Sequence, residues 1–443
     1  MRKGNTMNPN THSYRNDEGS VLLGVMGFLF LATGLVATIL LVGSSHRKVA
    51  EEQFDMERAM DVAEAGMERG ARYVQSNLVA LSGSSGITTN SGNLGAGAYV
   101  YIISRSNSVY TVSSVGTVNS VSRTVTLKRI YQPTYAEFAL WSSNNAALYF
   151  KSGEEFNGHV HADTELYFNA ASGGPVFHKE VTSNYGTYSI TGGNINDIEL
   201  DMGLTLNSFQ GSMADVDFNS SDSSSLKSVA QTSGLVLDGT STITFNGTQV
   251  KITNSRKSWS NHSYTFGSNA IIYVENATSG SSDKSGIAYL QGGTVDGRLS
   301  VVTESDTYVR GNITYNSDPQ SNPNSDDALG LISRDDVWVD TSAPNNLTID
   351  AAIMATGASS PTDDGSFGVI NYDSGNPRGT LNVYGGIVQQ TRGAVGTFNS
   401  RSGSLQTGYD KNYSYDARFI DNPPPYYPVI ANKVVFSQWQ ESK

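Results

Sequence analysis

The stretch VLLGVMGFLFLATGLVATILLV, residues 21–42, runs for 22 residues without a charge, and a helix crossing a hydrocarbon core needs about 20. Leu, Ile, Phe and Val each contribute roughly −0.3 to −0.6 kcal/mol near the centre of such a helix, so the internal glycines are tolerated. A secretory signal peptide has a shorter apolar core and small residues at a cleavage site. Here His46, Arg47 and Lys48 follow instead, and after them a helical pattern. Val49, Met56, Met60, Ala63, Met67, Ala71, Val74 and Leu78 recur mostly three or four apart, the spacing of one helix face. Glu51, Glu52, Asp55, Glu57, Arg58, Glu64, Glu68 and Arg69 fill the opposite, solvated face. The run is therefore read as a membrane span continuing into an amphipathic helix.

Outward from this stem, residues 81–97 (LSGSSGITTNSGNLGAG) read as a loop. Residues 98–103, 108–115 and 118–130 are dense in Val, Tyr, Ile and Thr and predict a three-stranded antiparallel meander covering the apolar stripe. After Pro133 the texture changes to short apolar strands between Gly, Asn and Asp clusters: 147–150, 158–162, 165–168, 241–245, 250–253, 270–274, 294–302, 308–315, 329–332, 347–355 and 380–384. No helix is expected there. Asn246-Gly247 is one of few hairpin dipeptides, so stacked parallel coils account for the pattern better than a sandwich. The fold class is mainly β with a long N-terminal α-helix: helix, small antiparallel sheet, then a β-solenoid, with a β-sandwich as the alternative. No strict repeat period marks the coils.

Composition limits the chemistry. The chain of 443 residues has no cysteine, which excludes disulfides, zinc-thiolate sites, iron–sulfur clusters and cysteine nucleophiles. It carries 29 basic and 41 acidic groups, net −12, and beyond residue 80 the balance is 21 to 32. General affinity for nucleic-acid phosphates does not follow from such a charge.

The leader ending at Gly19, the apolar run two residues later, and Ala63-Glu64-Ala65-Gly66 within AMDVAEAGMERGARYV together resemble the N-terminal region of PilX-like minor pilins and type IV pseudopilins. The resemblance covers about 60 residues. It implies cleavage by a prepilin peptidase between Gly19 and Ser20, methylation of the new N-terminus, and a helix that is first membrane anchor and then filament core. It also supplies the orientation, since Arg2, Lys3 and Arg15 balance His46, Arg47 and Lys48 across the span. Two residues depart from the pattern: Asp17 and Glu18 precede Gly19 where the family has Lys or Arg, and Gly24 stands where most pilins have glutamate. A carboxylate in a span costs about 2.5–3.5 kcal/mol to insert, and the family uses it to neutralise a neighbour's buried amine. A tip pseudopilin lacks it too, so the tip is the expected position. Residues 135–430, with GYDKNYSYD (408–416) and PPPYYP (423–428) as their most specific part, are similar to an uncharacterised bacterial domain carried on pilin-type stems. Of related large minor pilins, one group has been proposed to receive DNA at a competence pilus tip.

The expected division is thus a leader (1–19), a transmembrane and stem helix (20–80), a small meander (81–132) and a large β-rich domain (133–443). Expected partners are other pilins, the prepilin peptidase, the inner membrane and a surface ligand of protein, sugar or DNA. The chain is expected in the inner membrane before assembly and at the cell surface afterwards. Rival readings are a membrane-tethered envelope protein outside any filament, a DNA receptor, and a polysaccharide-active enzyme. No G-x-S-x-G elbow, P-loop or H-E-x-x-H occurs, so neither enzyme activity nor a cofactor is expected.

Three residue groups offer binding chemistry. His159, His161 and Asp163 alternate, and His178 lies in a segment of matching type; a strand places the first three on one face, where imidazoles and a carboxylate suit zinc, and stacked polar residues on a coil, or side chains bonded to turns, are the alternative. Residues 316–327 and Asp335-Asp336 offer oxygens of the kind calcium takes, or form a solvated acidic loop. Lys251, Arg256 and Lys257 lie close in sequence and are the candidates for phosphate contacts. Tyr409, Tyr413, Tyr415, Tyr426 and Tyr427 either present stacking surfaces to a ligand or cap the open end of a solenoid.

Overall fold

The structure is a computed structural model and describes residues 18–77, 88–106, 109–143, 147–209, 211–222, 224–279, 283–357, 364–399, 404–430 and 434–442. The leader up to Asp17 and Leu78 of the predicted stripe lie outside the described residues.

One helix, α1 (Glu18–Ser76), carries the whole stem. Residues 21–54 are exposed almost throughout, and their apolar part, residues 21–42, is long enough to cross a membrane. Its few hydroxyls are satisfied within the helix: Thr33 Oγ1 donates to the Leu29 carbonyl (2.8 Å) and Thr38 Oγ1 to that of Gly34 (2.9 Å), as a water-free environment requires. The second half is seated on a sheet. Its buried face is made of Ala59, Val62, Ala63, Gly66, Gly70, Ala71 and Val74, whereas Met56, Met60 and Met67 are only half-buried and Val49 is exposed. Small residues hold the stripe because the sheet comes very close: a Cβ on Gly116 would collide with the Ala59 carbonyl and the Ala63 amide.

That sheet is an antiparallel meander of Thr88–Leu94, Gly97–Ser106, Val109–Val118 and Val121–Tyr131. Its first strand lies in the segment expected as loop. TTNSGNL has no apolar alternation and is mostly exposed; ladder bonds to its neighbour hold it rather than burial. Asn119 and Ser120 turn the last hairpin with positive φ (45° and 72°), the two-residue geometry that matches strand twist. Asn119 Nδ2 also reaches the Asp55 carboxylate of α1 at 3.2 Å.

The sheet is completed from the far end of the chain. Val435–Phe436 and Trp439–Ser442 pair antiparallel with Val121–Tyr131, and Arg123 meets Glu441 at 3.3 Å. These last residues, grouped by sequence with the large domain, thus join the small one, and the large domain is an insertion between neighbouring strands. Its entry and exit run side by side: Thr134 bridges Val429, the Ile430 amide donates to the Pro133 carbonyl (2.8 Å), and the Tyr135 amide to that of Pro428 (3.0 Å).

The inserted domain is built of stacked coils. Its main sheet has ten parallel strands in the spatial order Leu204–Leu206, Val181–Ser183, His159–Ala162, Phe138–Ser142, Ile387–Gln389, Ala352–Ala355, Ala328–Ser333, Arg298–Thr303, Ala270–Glu275 and Leu235–Asp238. Parallel in-register stacking of this kind is solenoid-like and unlike the antiparallel sandwich kept as alternative. The order is permuted. The chain enters at Phe138–Ser142, coils to Leu204–Leu206, crosses to the opposite end at Leu235–Asp238, and coils back until Ile387–Gln389 stacks on the entry strand. Nine intervals of about 4.8 Å separate the two ends by roughly 43 Å, which residues 207–234 span over the sheet's outer face.

This crossing includes a helix that the sequence reading lacked, α2 (Leu226–Ser233), N-capped by Ser225, whose Oγ accepts from the Ser228 amide (3.3 Å). Met213, Phe218, Leu226 and Ala230 cover Tyr273, Val302, Ile332 and Met354, and Phe419, Tyr427 and Ile430 complete the layer. Inside the coils the lumen is apolar, with Phe150 stacked on Phe168 (5.5 Å) and Phe156 on Phe177 (5.2 Å). The predicted hairpin at Asn246-Gly247 is present: Ser241–Gly247 pairs antiparallel with Gln249–Asn254, and Trp259–Thr265 extends it into a cap.

Candidate metal centre and charged clusters

Among the described residues, the main sheet is the one sheet that both runs of coils share. On the other faces the strands of residues 148–200 form separate small sheets, and Leu405–Ser414 closes the second run without bonding to Glu155–Phe156. At this seam the interior becomes polar. Lys411 and Tyr413 stand in register with the inward-facing Leu381 and Val383. Glu154, which Arg392 approaches at 3.8 Å, lies beside them. Burial, with Arg392 and Lys151 adding repulsion, pushes the Lys411 ammonium down to about 8. Of the tyrosine cluster, Tyr413 and Tyr415 lie at this seam. Tyr415 is buried and donates to the Ala136 carbonyl (3.1 Å), its ring fitting against Gly158. Tyr409 is buried under the Arg378 guanidinium and donates to the Pro344 carbonyl (2.7 Å), Tyr427 is buried, and only Tyr426 is exposed.

His159–Ala162 does put His159 and His161 on one face, but that face is covered by the outer layer. His161 is fully buried with its ring 4.2 Å from Trp141. One nitrogen meets Thr182 Oγ1 (2.7 Å) and the other Asp163 Oδ1 (3.1 Å). Asp163 also accepts from Asn184 Nδ2, and His159 lies against Phe138, 6.0 Å between rings. The structure therefore brings His161 and Asp163 together as members of a hydrogen-bonded interior, with both imidazole nitrogens of His161 engaged.

The acidic stretches clamp coil corners. Asp327 is buried and accepts from the amides of Gly297 (2.6 Å) and Ser317 (2.8 Å). Asp336 accepts from the Ser366 amide (2.6 Å), and its own amide donates to Asp306 Oδ1 (3.2 Å). Of the basic candidates, Arg256 Nε binds Asp238 Oδ2 at 2.9 Å, the Lys257 ammonium sits 5.4 Å from the Trp259 ring centre, and Lys251 is exposed on the capping hairpin. Gly19 and Ser20 lie in the first turn of α1, and Gly24 has nothing within 4 Å of where a Cβ would stand.

A group of metal-ligating side chains that the sequence reading did not assemble occurs on three successive coils of the first run. Glu155–Phe156, Val176–Phe177 and Glu199–Leu200 pair in parallel, with Phe156, Phe177 and Leu200 in one register and directed inward. Alternation directs Glu155, His178, Glu199 and Asp201 outward. His178 Nδ1 lies 2.7 Å from Asp201 Oδ2 and Nε2 lies 3.0 Å from Glu155 Oε1. One donor atom each from His178, Glu199 and Asp201 fall within 4.8 Å of one another. The bonds to Asp201 and then Glu155 raise the His178 imidazole above its ordinary value. The sequence signal was an apolar residue followed by a polar one, at Phe156-Asn157, Phe177-His178 and Leu200-Asp201; it has meaning only once the coil length is known.

No family model matches the chain, and no curated relative matches it. Among solved structures, the crystal structure of competence-associated pilin ComZ from Thermus thermophilus is similar, at 12% identity and a TM-score of 0.36, covering 88% of this chain and 98% of that one.

Proposed function

We propose that this chain is a minor subunit of a type IV-like filament, held in the inner membrane by its N-terminal helix before assembly and displaying the solenoid-like domain at the surface afterwards. One observation carries the reading: a single unbroken helix is apolar over residues 21–42, bare over residues 21–54, and seated on an antiparallel sheet further on. Such a bare half serves as a membrane span and equally as the core of a helical filament, because both surroundings exclude water. The prepilin peptidase would cut between Gly19 and Ser20, and other pilins would be the partners of the exposed helix. Gly24 supports a place at the tip, since it offers no carboxylate to a neighbour's amine. The display is for adhesion or cargo contact with protein or sugar. DNA reception ranks behind it, given 21 basic against 32 acidic groups beyond residue 80 and an Arg256 already paired with Asp238. We assign the chain no catalysis.

Shearing filaments from cells and gold-labelling the solenoid-like domain tests this reading. The chain should appear in the sheared fraction with label at filament ends. Its complete retention in the inner membrane would favour the tethered envelope protein instead.

A further inference from the structure

We propose that His178, Glu199 and Asp201 form a binding site for a first-row divalent cation, with zinc preferred, and that Glu155 positions the histidine. Three features of the coil stack lead to it. Glu199 and Asp201 are two residues apart at the end of one strand, so both carboxylates leave the same face, while His178 comes from the adjoining rung about 4.8 Å away. Their donor atoms, all within 4.8 Å of one another, need only side-chain rotation to reach the legs of about 2.0–2.2 Å that zinc takes from imidazole and carboxylate. The second feature is the other imidazole nitrogen. His178 Nδ1 faces Asp201, and Nε2, 3.0 Å from Glu155 Oε1, donates its proton to a carboxylate outside the cluster. That is the outer carboxylate–histidine arrangement that fixes the tautomer and raises ligand basicity in metal sites. The third is charge: three carboxylates converge on one imidazole, and among the described residues none of Glu155, Glu199 and Asp201 is paired with a lysine or arginine. A cation supplies the compensation they lack.

One imidazole and two carboxylates suit zinc or manganese, with zinc the tighter by the general order of divalent affinities, and give calcium little use for the nitrogen. Three protein ligands leave a further position open to water or to an oxygen atom of a contacted surface. The site stands independently of filament assembly, because the full chain presents it whether tethered or assembled.

The test is calorimetric titration of the full detergent-solubilised chain with zinc chloride, manganese chloride and calcium chloride. One zinc ion per chain should bind in the micromolar range or tighter, manganese more weakly, and calcium not measurably. His178→Ala should remove the binding. Glu155→Gln, which touches no metal, should weaken it about tenfold, while His159→Ala should leave it unchanged. The His178 and Glu155 variants should keep the circular dichroism and melting profile of the parent, since both are surface groups. Absence of zinc binding by the parent chain, or equal zinc affinity in His178→Ala, overturns the proposal; unchanged affinity in Glu155→Gln overturns the positioning role.

Discussion

Ile387 and Leu140 are register partners on adjacent parallel strands, so the last turn of the coil stack rests on the first. Chain order and spatial order therefore differ, and this rung of the main sheet joins the two runs of coils, with the Arg392–Glu154 pair and the outer layer beside it. Both side chains are buried in the lumen.

From that contact, Ile387→Ala should destabilise both runs together by about 2–4 kcal/mol, the usual cost of such a truncation in a closed core. Urea unfolding followed by tryptophan fluorescence checks this, Trp141 lying in the first run and Trp338 in the second. Independent transitions for the two would contradict the shared rung.

The close approach of sheet to stem makes Gly116 sensitive. Gly116→Val sets a side chain against the α1 backbone at Ala59 and Ala63, where neither side has a flexible atom to yield. A loss of roughly 1–3 kcal/mol is expected, read as a lower melting temperature and faster proteolysis between stem and sheet. Gly95 makes the matched control: its Cβ position is open, and its φ of 58° is tolerated by asparagine, so Gly95→Asn should cost much less.

Lys411 gives the seam a pH dependence. In the unfolded chain its ammonium titrates near its ordinary 10.5; in the fold, burial with Arg392 and Lys151 nearby lowers it to about 8. Between those values the unfolded chain holds a proton that the folded chain has released, so this group makes stability rise with pH from about 8 to 10.5 and costs most below pH 8. Lys411→Met should remove that slope and gain roughly 1–3 kcal/mol at pH 7. Chemical denaturation of both proteins at pH 7 and pH 9 measures it, and a variant less stable at pH 7 would contradict the sign.

Much of the architecture could be read in advance where one residue's environment is decided locally. The uncharged run, the turn at Asn246-Gly247 and the alternating inward residues of most strands are of that kind. Of the apolar stripe on α1, Ala63, Ala71 and Val74 are buried as the spacing predicts, whereas Met56, Met60 and Met67 stand at its margin, because Gly116 meets α1 at Ala59 and Ala63 while Gly66 and Gly70 admit Tyr99 and Val112 of the sheet. Residues 294–302 and 308–315 were each read as one strand and are two, since corners at Gly297 and Gly311 leave the apolar pattern nearly unbroken. The pairing of Ile387 with Leu140, and of Trp439–Ser442 with the stem sheet, depends on contacts between distant segments that leave no local mark. So does the histidine site. His159 and His161 alternate in sequence, but they pack against Phe138 and Trp141 of the neighbouring strand, while His178 meets its carboxylates only through stacking of coils.

Gly24 offers a test of location. Its Cβ position is open, so Gly24→Glu should leave the fold and membrane insertion essentially intact while supplying the carboxylate that shaft subunits of the family use. Gold label on the solenoid-like domain should then move from filament ends into the shaft. Unchanged end labelling would remove Gly24 as the reason for the tip position.

Membership of a filament is decided most directly at the N-terminus of the mature chain. Intact-mass and peptide mass spectrometry of protein from cells with an active prepilin peptidase should find the chain beginning at Ser20 and carrying an N-methyl group. A chain that retains residues 1–19 in such cells would contradict its assignment to a filament.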